Sequence, residues 1–246
     1  MEFYLILIVF FLIAITYASV GFGGGSSYLA LLAVMTLPFE LIRPTALLCN
    51  IVVVTGGTYL FYKEGYINLK KALPFVLVSI PMSFLGGYYP IREKSFFIIL
   101  GCALITAALL LWFQQNIQNR RNAINSSYGV NLAIGGGVGF LSGLVSIGGG
   151  IFLSPILHLL KWDEVKKISA IASLFILLNS LSGLAGQLTR NPHIDWNFTW
   201  PLLLAVFVGG QIGSRLGVRT FNPKTIKRIT AVLIFLAGGN IIYQHW

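Results

Sequence analysis

Long apolar runs, separated by short polar or glycine-rich stretches, organise this chain from end to end. Apolar segments cover Phe3–Val20, Ser26–Leu37, Thr45–Tyr62, Leu73–Tyr89 and Ser95–Phe113. After the polar stretch Gln114–Tyr128 they resume as Gly129–Ser146, Ile151–Leu160, Ile168–Leu188, Trp200–Leu216 and Lys224–Tyr243. The runs are continuous, which predicts helices and excludes the two-residue alternation of a membrane β-barrel. Several approach or reach the roughly 20 residues needed to cross hydrocarbon. Each set reads long, short, long, long, long. The pattern predicts an all-α polytopic membrane protein of two repeats, residues 1–113 and 129–246, joined by the linker 114–128.

The short segments carry the most information. Ser26–Leu37 has 12 residues and Ile151–Leu160 has 10. At about 1.5 Å per residue each covers roughly 15–18 Å, against a hydrocarbon core of about 30 Å. Neither crosses alone, so each is expected to begin at depth. A glycine-rich break precedes each: Gly21-Phe22-Gly23-Gly24-Gly25-Ser26-Ser27, and Ser146-Ile147-Gly148-Gly149-Gly150-Ile151-Phe152. Unwound backbone is tolerated in a bilayer only where protein buries it or where it lines a watery cavity. Two such breaks at matching places in two halves point to a transporter binding site.

Composition supports the membrane reading. The 246 residues are 56% hydrophobic and 10% charged, where soluble domains carry about a quarter charged residues. The net charge of +10 is spread in pairs and triples between apolar runs, so it reports topology and implies no nucleic-acid partner. If the short segments leave the chain on the same side, Lys and Arg divide six against eleven. If each short segment and the end of its predecessor form a hairpin that changes sides, the division is thirteen against four. The sharper bias favours five segments per half, hence inverted repeats, with both termini outside the cytoplasm. The stretch before the first run contains Glu2 and no basic residue, and no small-residue cleavage site follows. Phe3–Val20 is therefore expected to be a retained helix.

A helix that begins at depth presents unpaired N–H groups and the positive end of its dipole. Successive amides in a glycine turn form a nest for anions. The candidate binding set is therefore Gly23, Gly24, Gly25, Ser26 and Ser27 from the first break, with Ser146, Gly148, Gly149, Gly150 and Ser154 from the second. Cys49, Asn50 and Asn179 are polar or polarisable groups within long runs and join that set. Glycines spaced by four, Gly135, Gly139 and Gly143 and again Gly209, Gly213 and Gly217, read instead as helix-packing positions. Cys49 and Cys102 make neither a disulfide framework nor a metal-ligand spacing, and no metal or cofactor is expected. All seven acids fall at segment ends or in loops, so no intramembrane carboxylate relay opposes an anion path.

These motifs resemble the sulfite exporter TauE/SafE family of membrane permeases. The likeness covers the whole chain: two related halves, each opening with a glycine-triplet break. It is carried best by Ser142-Gly143-Leu144-Val145-Ser146-Ile147-Gly148-Gly149-Gly150 with Pro155-Ile156-Leu157, by Ile194-Asp195-Trp196, and by Gly209-Gly210-Gln211-Ile212-Gly213. The first copy departs at Ala30, where the second has Pro155. The resemblance implies secondary transport of small sulfur-containing anions such as sulfite or organosulfonates. The expected partners are that substrate and the lipid bilayer, with the assembly state open and a homodimer among the expectations. An anion channel and a non-transporting membrane subunit are the competing classes. An enzyme is not expected, since no histidine is placed to activate Ser142 and no Gly-Lys-Ser or Gly-Lys-Thr follows a glycine run.

Overall fold

The structure, a computed structural model, describes residues 2–35, 37–114, 127–219 and 223–246. Most of the linker read from sequence lies outside the described residues. The described chain forms α1 (Glu2–Ala18), α2 (Gly25–Val34), α3 (Phe39–Lys63), α4 (Leu69–Tyr88), α5 (Glu93–Gln114), α6 (Tyr128–Val145), α7 (Gly150–Leu159), α8 (Val165–Arg190), α9 (Trp196–Arg219) and α10 (Pro223–His245). Among these, α3, α4, α5, α6 and α8 are long and apolar enough to cross a membrane. Side chains such as Leu5, Ile8, Leu73, Leu77, Leu233 and Leu236 are exposed on the outside of the bundle, as a lipid solvent permits.

Local chemistry sets several boundaries. The Asn68 side chain accepts a hydrogen bond from the Lys71 amide at 3.2 Å and caps α4. Asp195 does the same for α9, through the Phe198 amide at 3.1 Å. The matching Ile-Asn-Leu and Ile-Asp-Trp triplets of the two halves are thus equivalent helix starts. One boundary differs from the expected one. α3 begins at Phe39, six residues before the apolar run at Thr45, and continues through Pro44. Pro44 removes the hydrogen bond its N–H would have made to the Glu40 carbonyl, an interruption that packed membrane helices tolerate.

The main helix contacts are unchanged when every αn is exchanged with αn+5. α4 on α6 answers α1 on α9; α4 on α8 answers α3 on α9; α5 on α7 answers α2 on α10. α3 on α8 and α5 on α10 answer themselves. Residue pairings give the directions. Thr58 meets Ser173 while Asn50 meets Ser180, so α3 and α8 are antiparallel. Gly135, Gly139 and Gly143 lie against Phe75, Ser79 and Ser83, so α4 and α6 are parallel. Thr45 meets Thr199 and Gly210 lies against Val53, which makes α3 and α9 parallel. Gly101 faces Gly238 and Ile242, while Phe97 stacks on His245 at 4.1 Å, which makes α5 and α10 antiparallel.

The glycine stripe on α6 is a close-approach surface. A Cβ at Gly139 would lie 2.6 Å from the Ser79 Cα, whereas one at Gly137 meets nothing within 4 Å. Lipid tails compete well for apolar side chains, so helices associate through such backbone proximity. At one end of the bundle, Lys71 Nζ pairs with Asp163 Oδ2 at 2.8 Å and lies over the Trp162 ring. Burial works to raise the Asp163 carboxyl, but Lys71, the Glu164 amide and Lys167 outweigh it and hold it below the usual carboxylate range. The contact is therefore intact at neutral pH and is lost only as pH falls through that lowered value.

Gly139→Val is expected to force α4 and α6 apart at a cost of about 1–3 kcal/mol or more, lowering the melting temperature in detergent. Gly137→Ala should leave the same melting curve unchanged.

Candidate functional site

Both glycine breaks descend from the end of a long helix to the middle of another. Gly21 sits against Phe61, near the end of α3, but Gly23 already sits against Asn50 and Val54 at its centre. Ser146 binds Gln187 near the end of α8, while Gly148 lies against Ser180 and Ile176 at the centre of that helix. The half-helices α2 and α7 then start at mid-depth, each with a left-handed glycine as its N-cap: Gly24 at φ 85° and Gly149 at φ 80°. An L side chain adopts that conformation only at a cost. Ser146, at φ 60°, is a non-glycine residue in the same region.

The two breaks meet on one side chain. The Gly25 amide donates to Asn50 Oδ1 at 3.2 Å. Asn50 Nδ2 donates to the Ile147 carbonyl at 3.1 Å and to Ser180 Oγ at 2.9 Å. Asn50 is 1% exposed, so one buried amide ties α3 to the first break, the second break and α8 together. The fit is close: a Cβ at Gly25 would stand 2.8 Å from the Ile147 carbonyl oxygen, and one at Gly148 would overlap Asn50 Nδ2.

Several amides around this junction have no acceptor among the described residues. They are those of Gly23, Gly24 and Ser26 in the first break, and of Gly148, Gly149, Gly150 and Ile151 in the second. Ser26 and Ser27 are buried and reach the Tyr17 hydroxyl at 3.4 and 2.6 Å. Ser154 is buried with an unpartnered Oγ. Cys49 is fully buried and packs as a small apolar group in the core. Asn179 is placed elsewhere than at the junction: its Nδ2 donates to Ser79 Oγ at 3.0 Å and to its own helix at Phe175, so it clamps α8 to α4.

Sequence reading passed over Arg43. This residue falls between the predicted segments Ser26–Leu37 and Thr45–Tyr62. In the structure Arg43 lies inside α3, 9% exposed, against the mutually packed rings of Phe39 and Phe96, each 5.2 Å from the guanidinium carbon. Its Nε donates to Ser146 Oγ at 3.3 Å and its Nη2 to the Leu144 carbonyl at 3.2 Å. The signal was Phe39 one turn before it, an aromatic partner for an arginine on the same helix face.

The architecture is that of a polytopic helical membrane protein with paired half-helices, the arrangement that carriers use to expose helix ends at depth. The chain belongs to the sulfite exporter TauE/SafE family, whose profile matches residues 6–241. It is 31% identical to the probable membrane transporter protein y4hK of Sinorhizobium fredii, over 96% of each chain. It is 29% identical to the probable membrane transporter protein YunE of Bacillus subtilis, over 98% of each chain. A third relative, the probable membrane transporter protein MJ0441 of Methanocaldococcus jannaschii, is 28% identical over 70% of this chain and 66% of its own.

Asn50→Ala would strand the Gly25 amide and the Ile147 carbonyl. The expected loss is on the order of 1–3 kcal/mol for each orphaned group, read as a lower melting temperature of the purified protein. Asn50→Asp, which keeps the acceptor but sets a carboxylate against the Ile147 carbonyl, should not restore it.

Proposed function

We propose that this chain is a secondary carrier of small sulfur-containing oxyanions, sulfite or an organosulfonate. The anion is held where the two breaks meet, by the free amides of Gly23, Gly24 and Ser26 and of Gly148, Gly149, Gly150 and Ile151. The single observation that supports this most strongly is the meeting itself. Two mid-depth helix starts, whose dipoles are positive at that end, are tied side by side through Asn50. Sulfite is compact and offers acceptors on three sides, which suits amides arriving from two directions. The hydroxyls of Ser26 and Ser27 on α2 and of Ser154 on α7 are additional donors on those elements.

The two groups of five helices act in this reading as inverted repeats, residues 1–113 and 129–246. Support comes from the packing pairs that survive exchange of αn with αn+5, and from the opposed directions of α3 and α8 and of α5 and α10. Alternating access then follows from rocking one repeat against the other around a fixed site. The charge bias puts the ends of α1 and α3 from which the first break descends, with Lys63 and Lys71, on the cytoplasmic side of the inner membrane, and both termini on the other. Carriers of this kind make and break no covalent bond in their substrate, so no catalytic residue is assigned.

Reconstituted into liposomes, the protein should accumulate sulfite against its own gradient when a coupling-ion gradient is imposed, which a channel cannot do. Gly24→Ala and Gly149→Ala place a Cβ in a left-handed position, 2.9 Å from the Tyr28 ring and 2.8 Å from the Phe175 ring respectively. Each should cut uptake about tenfold, equivalent to about 1.4 kcal/mol, with the protein still inserted. Undiminished uptake of sulfite and sulfonates by both variants would refute the site.

A further inference from the structure

A cavity of about 220 Å³ opens at the end of the bundle where α3 begins and α8 finishes. Arg43, Gln187, Arg190, Asn191, His193 and Glu40 line it. Arg43 is the unusual member. A guanidinium withdrawn from water is costly unless an opposite charge or a full set of acceptors compensates it. Among the described residues no carboxylate oxygen lies within 4.0 Å of Arg43; the ion pairs there involve only Lys71, Lys167, Asp163 and Glu164. Two of its five N–H donors have protein acceptors, Ser146 Oγ and the Leu144 carbonyl, so Nη1 has none. The rings of Phe39 and Phe96, packed on each other, both lie beside the group without neutralising it. Arg190, on the same cavity wall, adds a second positive charge.

The geometry points to a second anion site: a small oxyanion binds in this cavity on the free Nη1 edge of Arg43, with Arg190 also on the lining, before Ser146 passes it to the second break. A planar guanidinium grips two oxygens of a sulfur or phosphorus oxyanion at once, which a lysine cannot. Ser146 is the physical link. Its Oγ takes hydrogen bonds from Arg43 Nε at 3.3 Å and from Gln187 Nε2 at 2.7 Å, and it is the residue from which the break descends to Gly148. The placement of the site on a transport path rests on the carrier reading above, whereas its affinity for an oxyanion does not.

The test is thermal unfolding of the full-length purified protein in detergent and low-chloride buffer, titrated with sulfite, with methanesulfonate, and separately with phosphatidylglycerol. Specific binding raises the melting temperature by mass action. Sulfite should stabilise the parent, Arg43→Gln should need at least about ten times more sulfite for the same shift, and Arg43→Lys should fall between them. Gln187→Glu places a carboxylate on Ser146 beside the guanidinium. It should raise the anion-free melting temperature and weaken the sulfite response about tenfold.

An unaltered sulfite response in Arg43→Gln overturns the proposal, as does stabilisation of the parent by phosphatidylglycerol but not by sulfite, which marks a lipid-headgroup site. If Arg43→Gln does not fold, Gln187→Glu decides, and an unaltered response there overturns the proposal equally. Loss of sulfite uptake in Gly149→Ala alongside normal sulfite binding in Arg43→Gln removes this site and leaves the carrier reading standing. Binding that depends on Arg43 in a protein that never accumulates sulfite does the reverse.

Discussion

One carboxamide governs the centre of this molecule. Ending two helices inside a bundle strips backbone groups of their partners, and in apolar surroundings each must be answered by protein, water or ligand. Asn50 answers a donor from the first break and an acceptor from the second, and few other side chains offer both at one point. Its reach fixes how closely the breaks approach, and so why Gly23, Gly25 and Gly148 carry no side chain there. The same side chain also reaches α8, since the Ser180 hydroxyl is its third partner. Filling the junction this way satisfies three backbone or hydroxyl groups and leaves a ring of amides around them uncommitted.

Outside that centre the bundle is held by shape. α6 lies on α4 through Gly135, Gly139 and Gly143, and α9 lies on α1 through Gly209 and Gly213, both sets meeting partner backbone directly. The two contacts are equivalents under exchange of the halves, and both use glycine spaced by four. Polar clamps sit beside them: Ser83 to the Asn179 carbonyl, Asn179 to Ser79, Ser182 to Ile80. All three join α4 to α8, so the second repeat's long central helix is bound to the first repeat by hydrogen bonds as well as by packing. The helix ends meet at the Lys71 to Asp163 contact, which also joins the two halves.

Helix number, order and the two breaks were readable because length, continuity and glycine clusters are local properties of sequence. The breaks' mid-depth position was also readable, since ten residues of helix are too short to span. What escaped depends on which way a helix turns. Asn50 and Asn179 look alike in sequence, each a lone asparagine in an apolar run, yet one faces the breaks and the other faces α4. No periodicity separates them, because these helices are apolar nearly all round. Arg43 escaped for a different reason: it stands next to Pro44, which ordinarily ends or kinks a helix, yet α3 runs on through it. The two cap motifs were visible as a repeat, but their role emerged only from the amides they bind.

The two ends of the bundle handle charge in opposite ways, and the difference has a physical consequence. At the Lys71 end every charged group found in an ion pair has its opposite nearby, and the cluster is largely solvated. Such pairs contribute little and separate easily. At the Arg43 end a buried cation is held by rings, a hydroxyl and a carbonyl, none of which cancels its charge. A carboxylate in that place would neutralise the arginine and repel any anion, and the nearest acid along the helix, Glu40, forms no ion pair with it. The positive potential therefore persists into the cavity and falls on Ser146, the first residue of the second break. In the reading proposed above, an anion entering that cavity would meet the unpaired guanidinium backed by low-dielectric walls, with Arg190 and Glu40 also on the lining.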